Sequence, residues 1–152
     1  MPLKILGLNH NTAPVEIREQ VVFAGEQIPG ALQAVRDIEG VDEAVLLSTC
    51  NRTEFYVVAD NDGRRRLQDW LHDAHNLDPS FANTLFELDD DAALRHIFRV
   101  ACGLDSMVLG EPQILGQLKD AYRDAEGAGT IGKKLSQLFQ HTFSVAKKVR
   151  TD

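Results

Sequence analysis

Over the first ninety positions, short apolar runs alternate with stretches whose apolar residues recur at helical spacing; beyond position 89 the helical spacing takes over. Leu3 to His10 predicts a strand, with Ile5, Leu6 and Leu8 as its apolar residues. Asn9 to Pro14 is a polar loop closed by proline. Val15 to Val22 predicts a short helix, with Pro14 at its start and Glu16 and Glu19 in the early turns. A second helix is expected from about Ile28 to Ile38, with Leu32, Val35 and Ile38 on one face and Gly40 as its stop. Glu43 to Ser48 and Thr53 to Ala59 read as strands, joined closely enough for a hairpin. Asp60-Asn61-Asp62-Gly63 reads as a turn. Arg64 to Asn76 reads as a helix with Leu67, Trp70 and Leu71 inward, and Thr84 to Leu88 as a short strand.

The order β-α-β-β-α-β is the split-βαβ, ferredoxin-like pattern of the α+β class: an antiparallel sheet of four strands with two helices on one face. It hosts many unrelated activities, so it does not name a function. After Asp89 only helices are expected. Asp90 or Asp91 is the expected N-cap of one running to about Cys102, with Leu94, Ile97, Phe98 and Ala101 inward. A loop from Gly103 to Glu111 follows. Pro112 suits the first turn of a helix to about Glu126, and Gly127-Ala128-Gly129 breaks it. A long helix starts near Ile131, with a seam of Ile131, Leu135, Leu138, Thr142, Val145 and Val149 at heptad-like steps. It lacks a C-terminal breaker, so a longer parent protein is expected; fraying at a natural end is the plainer reading.

Composition narrows the classes. A chain of 152 residues, 43% hydrophobic and 26% charged, suits one globular domain with at most an appendage. It contains no run near the ~20 apolar residues that a membrane helix needs, and its first residues lack a signal peptide's apolar segment. A cytoplasmic location with no membrane partner is the expectation. The net charge of −7 argues against a general nucleic-acid binder. The basic clusters Arg64-Arg65-Arg66, Lys133-Lys134 and Lys147-Lys148 with Arg150 read first as solvated helix faces. No Cys-x-x-Cys or His-Glu-x-x-His occurs, so no metal is expected.

The candidate chemistry centres on Leu46-Leu47-Ser48-Thr49-Cys50-Asn51-Arg52-Thr53-Glu54-Phe55-Tyr56. Apolar runs lead into and out of a polar turn that carries a thiol at its crest and a guanidinium two residues on. A nearby cation favours the thiolate, which is the nucleophile. The plainer reading is a small side chain packed at a strand end. Cys102, in an apolar stripe, reads as core. Gly127-Ala128-Gly129-Thr130-Ile131-Gly132 fits G-x-G-x-x-G by letters, but a helix is expected on each side where the dinucleotide fingerprint needs a preceding strand. It reads as a turn between helices.

Several blocks resemble the glutamyl-tRNA reductase family. They are Leu47 to Glu54; Gly7-Leu8-Asn9-His10-Asn11-Thr12-Ala13-Pro14; Gly103 to Ile114 with Gly116-Gln117-Leu118-Lys119; and Ala146-Lys147-Lys148-Val149-Arg150-Thr151. The resemblance implies the N-terminal catalytic domain alone. Residues 1–89 would form a ferredoxin-like subdomain with the nucleophile, residues 90–130 its helical part, and residues 131–152 the start of a connecting helix. The family's NADPH-binding and dimerisation domains would lie outside this chain. It further implies that Cys50 attacks the aminoacyl ester of glutamyl-tRNA to give a thioester. Hydride from NADPH then reduces that thioester to glutamate-1-semialdehyde, for tetrapyrrole synthesis. No flavin is expected. The implied partners are glutamyl-tRNA, a second copy in a homodimer, and an aminomutase as the next enzyme of the pathway.

By the same resemblance, His96 is a catalytic histidine that polarises the carbonyl or protonates the leaving ribose oxygen; its plainer reading is a hydrogen-bonded helix histidine. Arg52 would hold a glutamyl carboxylate as a fork. Thr49, Asn51, Ser106, Glu111, Pro112, Gln113 and Gln117 would contact substrate. His10 and Glu54 would stand behind them, Glu54 orienting Arg52 or the substrate ammonium, and Asn9 would line the same cleft. Asparagine at 51 also serves turn geometry, and Glu111 also suits a helix start. Two other readings stay open: a thiol acyl-transferase or esterase that never uses hydride, and a non-enzymatic ligand-sensing module.

Overall fold

The computed structural model describes residues 1–104 and 113–151. Strands β1 (Leu3–Asn9), β2 (Val41–Ser48), β3 (Arg52–Ala59) and β4 (Phe86–Asp89) form one sheet in the order β2-β3-β1-β4. Every hydrogen-bonded pair in it is antiparallel. The helices are α1 (Val15–Gln20), α2 (Ile28–Arg36), α3 (Asn61–His75), α4 (Asp90–Ala101), α5 (Ile114–Ala128) and α6 (Lys133–Thr151). This is the ferredoxin-like α+β arrangement expected from the sequence, with α4, α5 and α6 added.

The central strand shows why both faces must be covered. All eight residues of β3 are buried, and successive side chains of a strand point to opposite faces. Phe55 meets Trp70 of α3 and Phe23 edge to face. On the other face Tyr56 meets Phe139 of α6, and Glu54 meets His96 of α4. Burying a side chain the size of Phe55 contributes about 1.5–3 kcal/mol. The even-numbered face of β3 thus gains its cover from helices that come after the ferredoxin-like unit.

Position 7 of β1 lies opposite Glu54. A Cβ there would stand 2.9 Å from Glu54 Cγ and 2.9 Å from the Thr53 carbonyl oxygen. Glycine at 7 is the space that lets a carboxylate sit inside the sheet.

The outer edge of β2 is stitched to the α5–α6 connection. The Ala44 amide donates to the Thr130 carbonyl at 2.9 Å, and Thr130 Oγ1 donates to the Ala44 carbonyl at 3.0 Å. The buried Glu43 carboxylate accepts from the amides of Gly132 (2.6 Å), Leu135 (3.0 Å) and Lys134 (3.3 Å). A carboxylate therefore occupies the start of α6, where free N–H groups favour an anion. A Cβ at Gly132 would meet Glu43 Cδ at 2.6 Å, and Gly129 caps α5 at φ +73°. The G-x-G-x-x-G letters are a helix-to-helix turn, as its flanks predict.

Four local expectations are corrected. Asp60-Asn61-Asp62-Gly63 is the start of α3: Asp60 is its N-cap and accepts from the Gly63 amide at 2.6 Å. Helix α2 ends at Arg36, and Gly40, at φ +94°, instead turns the chain into β2. The residue before α4 is Asp89, with no side-chain cap, because its carboxylate pairs with Lys4 and Arg64. On α6 the buried line is Leu135, Phe139, Thr142 and Ala146, whereas Val149 is exposed. Among the described residues no helix is long and apolar enough to cross a membrane.

Candidate functional site

The β2–β3 hairpin presents its crest at one end of the sheet. Ser48 pairs with Thr53, and the Thr49 amide donates to the Arg52 carbonyl at 2.8 Å. Thr49 Oγ1 accepts from the Asn51 amide at 3.2 Å. These bonds hold the turn in the shape of a short loop whose hydroxyl mimics a backbone acceptor. Cys50 is exposed at its crest; Cys102, at the end of α4, is partly buried. We expect iodoacetamide at neutral pH to label Cys50 faster than Cys102, as read by peptide mass mapping. Equal labelling contradicts a selectively available thiol.

Behind the crest lies a buried ionic cluster. Arg52 is 1% exposed and Glu54 fully buried. Arg52 Nη1 donates to Glu54 Oε2 at 3.1 Å, and His96 Nε2 donates to the same oxygen at 3.0 Å. Tyr56 Oη donates to Glu54 Oε1 at 2.5 Å. Burial pushes the Glu54 pKa up. The His96 hydrogen bond and charge, the Arg52 charge and the Tyr56 hydroxyl outweigh that push and hold it below the ordinary glutamate value. Glu54 is therefore an ionised acceptor, so Nε2 of His96 carries a proton. The ring of His96 also lies 5.3 Å from that of Phe86, centroid to centroid.

This cluster arises from alternation. Arg52, Glu54 and Tyr56 are every second residue of one strand and so share a face. Position 96 falls on the α4 surface packed over that face. Asn9, opposite Arg52 on β1, spends its side chain on the loop that follows: Oδ1 accepts from the Asn11 amide at 2.9 Å. His10 is half-buried just beyond it.

A cavity of about 220 Å³ opens beside the crest, lined by Phe23, Ser48, Thr49, Gln117, Asp120 and Asp124 among others. Gln117 Oε1 is buried there without a hydrogen-bond partner. Burial, and then the neighbouring Asp120, push the Asp124 pKa up. Among the described residues the lining offers acceptors and no cation, so it suits a group that donates hydrogen bonds.

The structure thus gathers Arg52, Glu54 and His96 into one cluster and brings Thr49 and Gln117 to one cavity. Gln113 is exposed one turn before Gln117, at the start of α5. Ser106, Glu111 and Pro112 lie outside the described residues. The sequence reading passed over Tyr56 and Gly7, although the alternation from Arg52 marks the first. It also passed over Asp120 and Asp124, whose spacing sets them on one face of a helix. Among the described residues no three His, Cys, Asp or Glu side chains are placed to hold a metal.

Comparisons with known proteins agree with one another. A family model described as glutamyl-tRNAGlu reductase, N-terminal domain, matches residues 6–152. The chain is 57% identical to a glutamyl-tRNA reductase of Stenotrophomonas maltophilia (strain R551-3) and 53% identical to one of Chromohalobacter salexigens. Both matches cover 100% of this chain, but 34% and 36% of the relatives. A solved structure of the glutamyl-tRNA reductase from Methanopyrus kandleri matches with a TM-score of 0.82 at 33% identity, over 99% of this chain and 34% of that one. The chain therefore spans about a third of the length of these relatives.

Proposed function

Because this chain belongs to the glutamyl-tRNA reductase family, as its N-terminal domain, we propose that it captures the glutamyl group of glutamyl-tRNA on Cys50. The thiolate adds to the ester carbonyl. A carbon–sulfur bond forms, the bond to the ribose oxygen breaks, and that oxygen takes up a proton as the tRNA leaves. The product is a thioester, which divides a difficult reaction into two easier ones. The observation that carries this reading is an exposed thiol at the end of a strand whose next inward residues, Arg52 and Glu54, form a buried ionised cluster with His96.

Each remaining residue has a part in that step. His96, held through Nε2, is oriented to serve the carbonyl or the leaving oxygen with its other face. Arg52 supplies a fixed positive charge for a glutamyl carboxylate, and Glu54 keeps that charge compensated inside the sheet. The acceptors Thr49, Gln117, Asp120 and Asp124 suit the substrate ammonium. Asn51, Gln113 and His10 frame the crest, with Ser106, Glu111 and Pro112 as further contacts.

The glycine pattern at 127–132 does not fit a dinucleotide. Glu43 already occupies the amides at the start of α6, where the glycine pattern would need a phosphate. In this reading the reduction to glutamate-1-semialdehyde falls to NADPH bound by parts of the full-length enzyme outside this chain, as do the homodimer contacts and any aminomutase. The test is intact-mass spectrometry after incubation with glutamyl-tRNA. A glutamyl adduct that maps to the peptide containing Cys50 is expected. An unmodified protein, with glutamyl-tRNA left intact or hydrolysed just as fast by Cys50→Ser, overturns the proposal.

A further inference from the structure

The ionic cluster contains one group that neither binds the substrate nor carries charge: the phenol of Tyr56. Its ring is fully buried against Phe139, centroids 5.7 Å apart, and packing alone would be served as well by phenylalanine. Its hydroxyl, however, donates to Glu54 Oε1 at 2.5 Å, the range of short charge-assisted O–H···O⁻ bonds. Both other donors, Arg52 Nη1 and His96 Nε2, reach Oε2. The two oxygens of Glu54 thus have distinct work. A carboxylate bonded at one oxygen can swing about its terminal torsion, a soft rotor; one bonded at both oxygens cannot.

We propose that Tyr56 is a positioning residue for thioester formation: its hydroxyl fixes the Glu54 carboxylate in the one orientation in which its other oxygen holds both Arg52 and His96. This rests on the reading of Cys50 as the group that captures glutamate. The hydroxyl also spreads the carboxylate's charge at the one oxygen that no cation touches, which keeps Glu54 ionised although no water reaches it. Glu54 is faced by Arg52 and Tyr56 from β3 and by His96 from α4. Its cross-strand neighbours, Gly7 of β1 and Leu47 of β2, are uncharged. A change at Tyr56 therefore acts on Glu54 and, through it, on two residues of different elements.

The test compares wild type and Tyr56→Phe in the full-length protein, following glutamyl adduct formation at Cys50 as a function of pH. With the hydroxyl gone, adduct formation is expected to slow about tenfold near neutral pH, the worth of one hydrogen bond to a charged group. The Glu54 carboxyl carbon, followed by NMR titration, is expected to take up its proton at higher pH, because the carboxylate then holds its proton more readily. The thermal unfolding temperature should fall by a few degrees, as the loss of one buried hydrogen bond to a charged group does, and iodoacetamide labelling of Cys50 should change little. An unmoved Glu54 titration with wild-type rate overturns the proposal. Should Tyr56→Phe fail to fold, Tyr56→3-fluorotyrosine keeps the ring and makes the hydroxyl a stronger donor. The Glu54 titration should then move to lower pH, and an unmoved one again overturns the proposal. Absence of any adduct in wild type, with glutamyl-tRNA left intact or hydrolysed just as fast by Cys50→Ser, would instead refute the reading of Cys50, so the two failures are separable.

Discussion

Replacing Cys50 by serine is expected to abolish the glutamyl adduct and to slow deacylation of glutamyl-tRNA about a thousandfold or more, the scale on which losing a nucleophile acts. Serine keeps the size of the side chain and its place at the crest. It loses the thiolate, and an unassisted hydroxyl is a weak nucleophile near neutral pH. The hairpin itself should not notice, because its closing bonds run between Thr49, Asn51 and Arg52. Cys102→Ser should leave both rates at wild-type values, since that sulfur is partly buried at the end of α4. Rates would be followed by acid-precipitable radiolabelled glutamyl-tRNA. Deacylation by Cys50→Ser at the wild-type rate contradicts the assignment.

The second large effect concerns stability. Glu54→Gln keeps the shape but leaves the Arg52 guanidinium facing a neutral amide inside the sheet. Breaking a buried pair in this way costs about 3–5 kcal/mol. The dependence on pH has a definite sign. The folded-state pKa of Glu54 lies below its ordinary value, so the charged form favours folding. That stabilisation is fully present above the unfolded glutamate pKa, about 4.3. It is lost as pH falls through the lower folded value. Urea unfolding should therefore show the full difference between wild type and Glu54→Gln at pH 7, and a shrinking one below about pH 4. A difference that stays constant down to pH 3 contradicts the ionised carboxylate. Wild-type stability at neutral pH contradicts the pair's importance.

The order of strands and helices along the chain, the hairpin and the helical tail were legible because each depends on local periodicity. The ferredoxin-like sheet follows from runs at period two separated by runs at period 3.6. What was misread shares one cause: a residue's letter does not say which of two physical uses the fold makes of it. Asp60 to Gly63 has turn chemistry, yet aspartate followed by a small residue three places on is equally an N-cap. Gly63 is glycine because a Cβ there would stand 2.4 Å from the Gly40 carbonyl oxygen. The seam of α6 slipped by one residue at two turns, to Phe139 and Ala146. The side facing Tyr56 and Tyr122 admits an aromatic ring where the heptad rule asked for leucine.

The candidate site was legible at its crest and hidden at its base. Cys50 and Arg52 stand out by type. Glu54 does not, because a carboxylate in a strand normally points to water. Only the later helices, with His96 on one of them, turn that face into an interior. The donation of Tyr56 to Glu54 is in turn invisible without knowing that Glu54 is buried. Gly7, whose missing side chain makes the room, gives no positive signal in its own strand.

The clasp between Glu43 and the first turn of α6 joins positions 92 residues apart. During synthesis, β2 leaves the ribosome long before residues 130–135 do. Until they arrive, a carboxylate meant for the interior has no amides to meet, and the Ala44 N–H and C=O on the edge strand are open, an invitation to pairing with other chains. The turn at Thr130 and the first turn of α6 thus close that part of the nascent sheet.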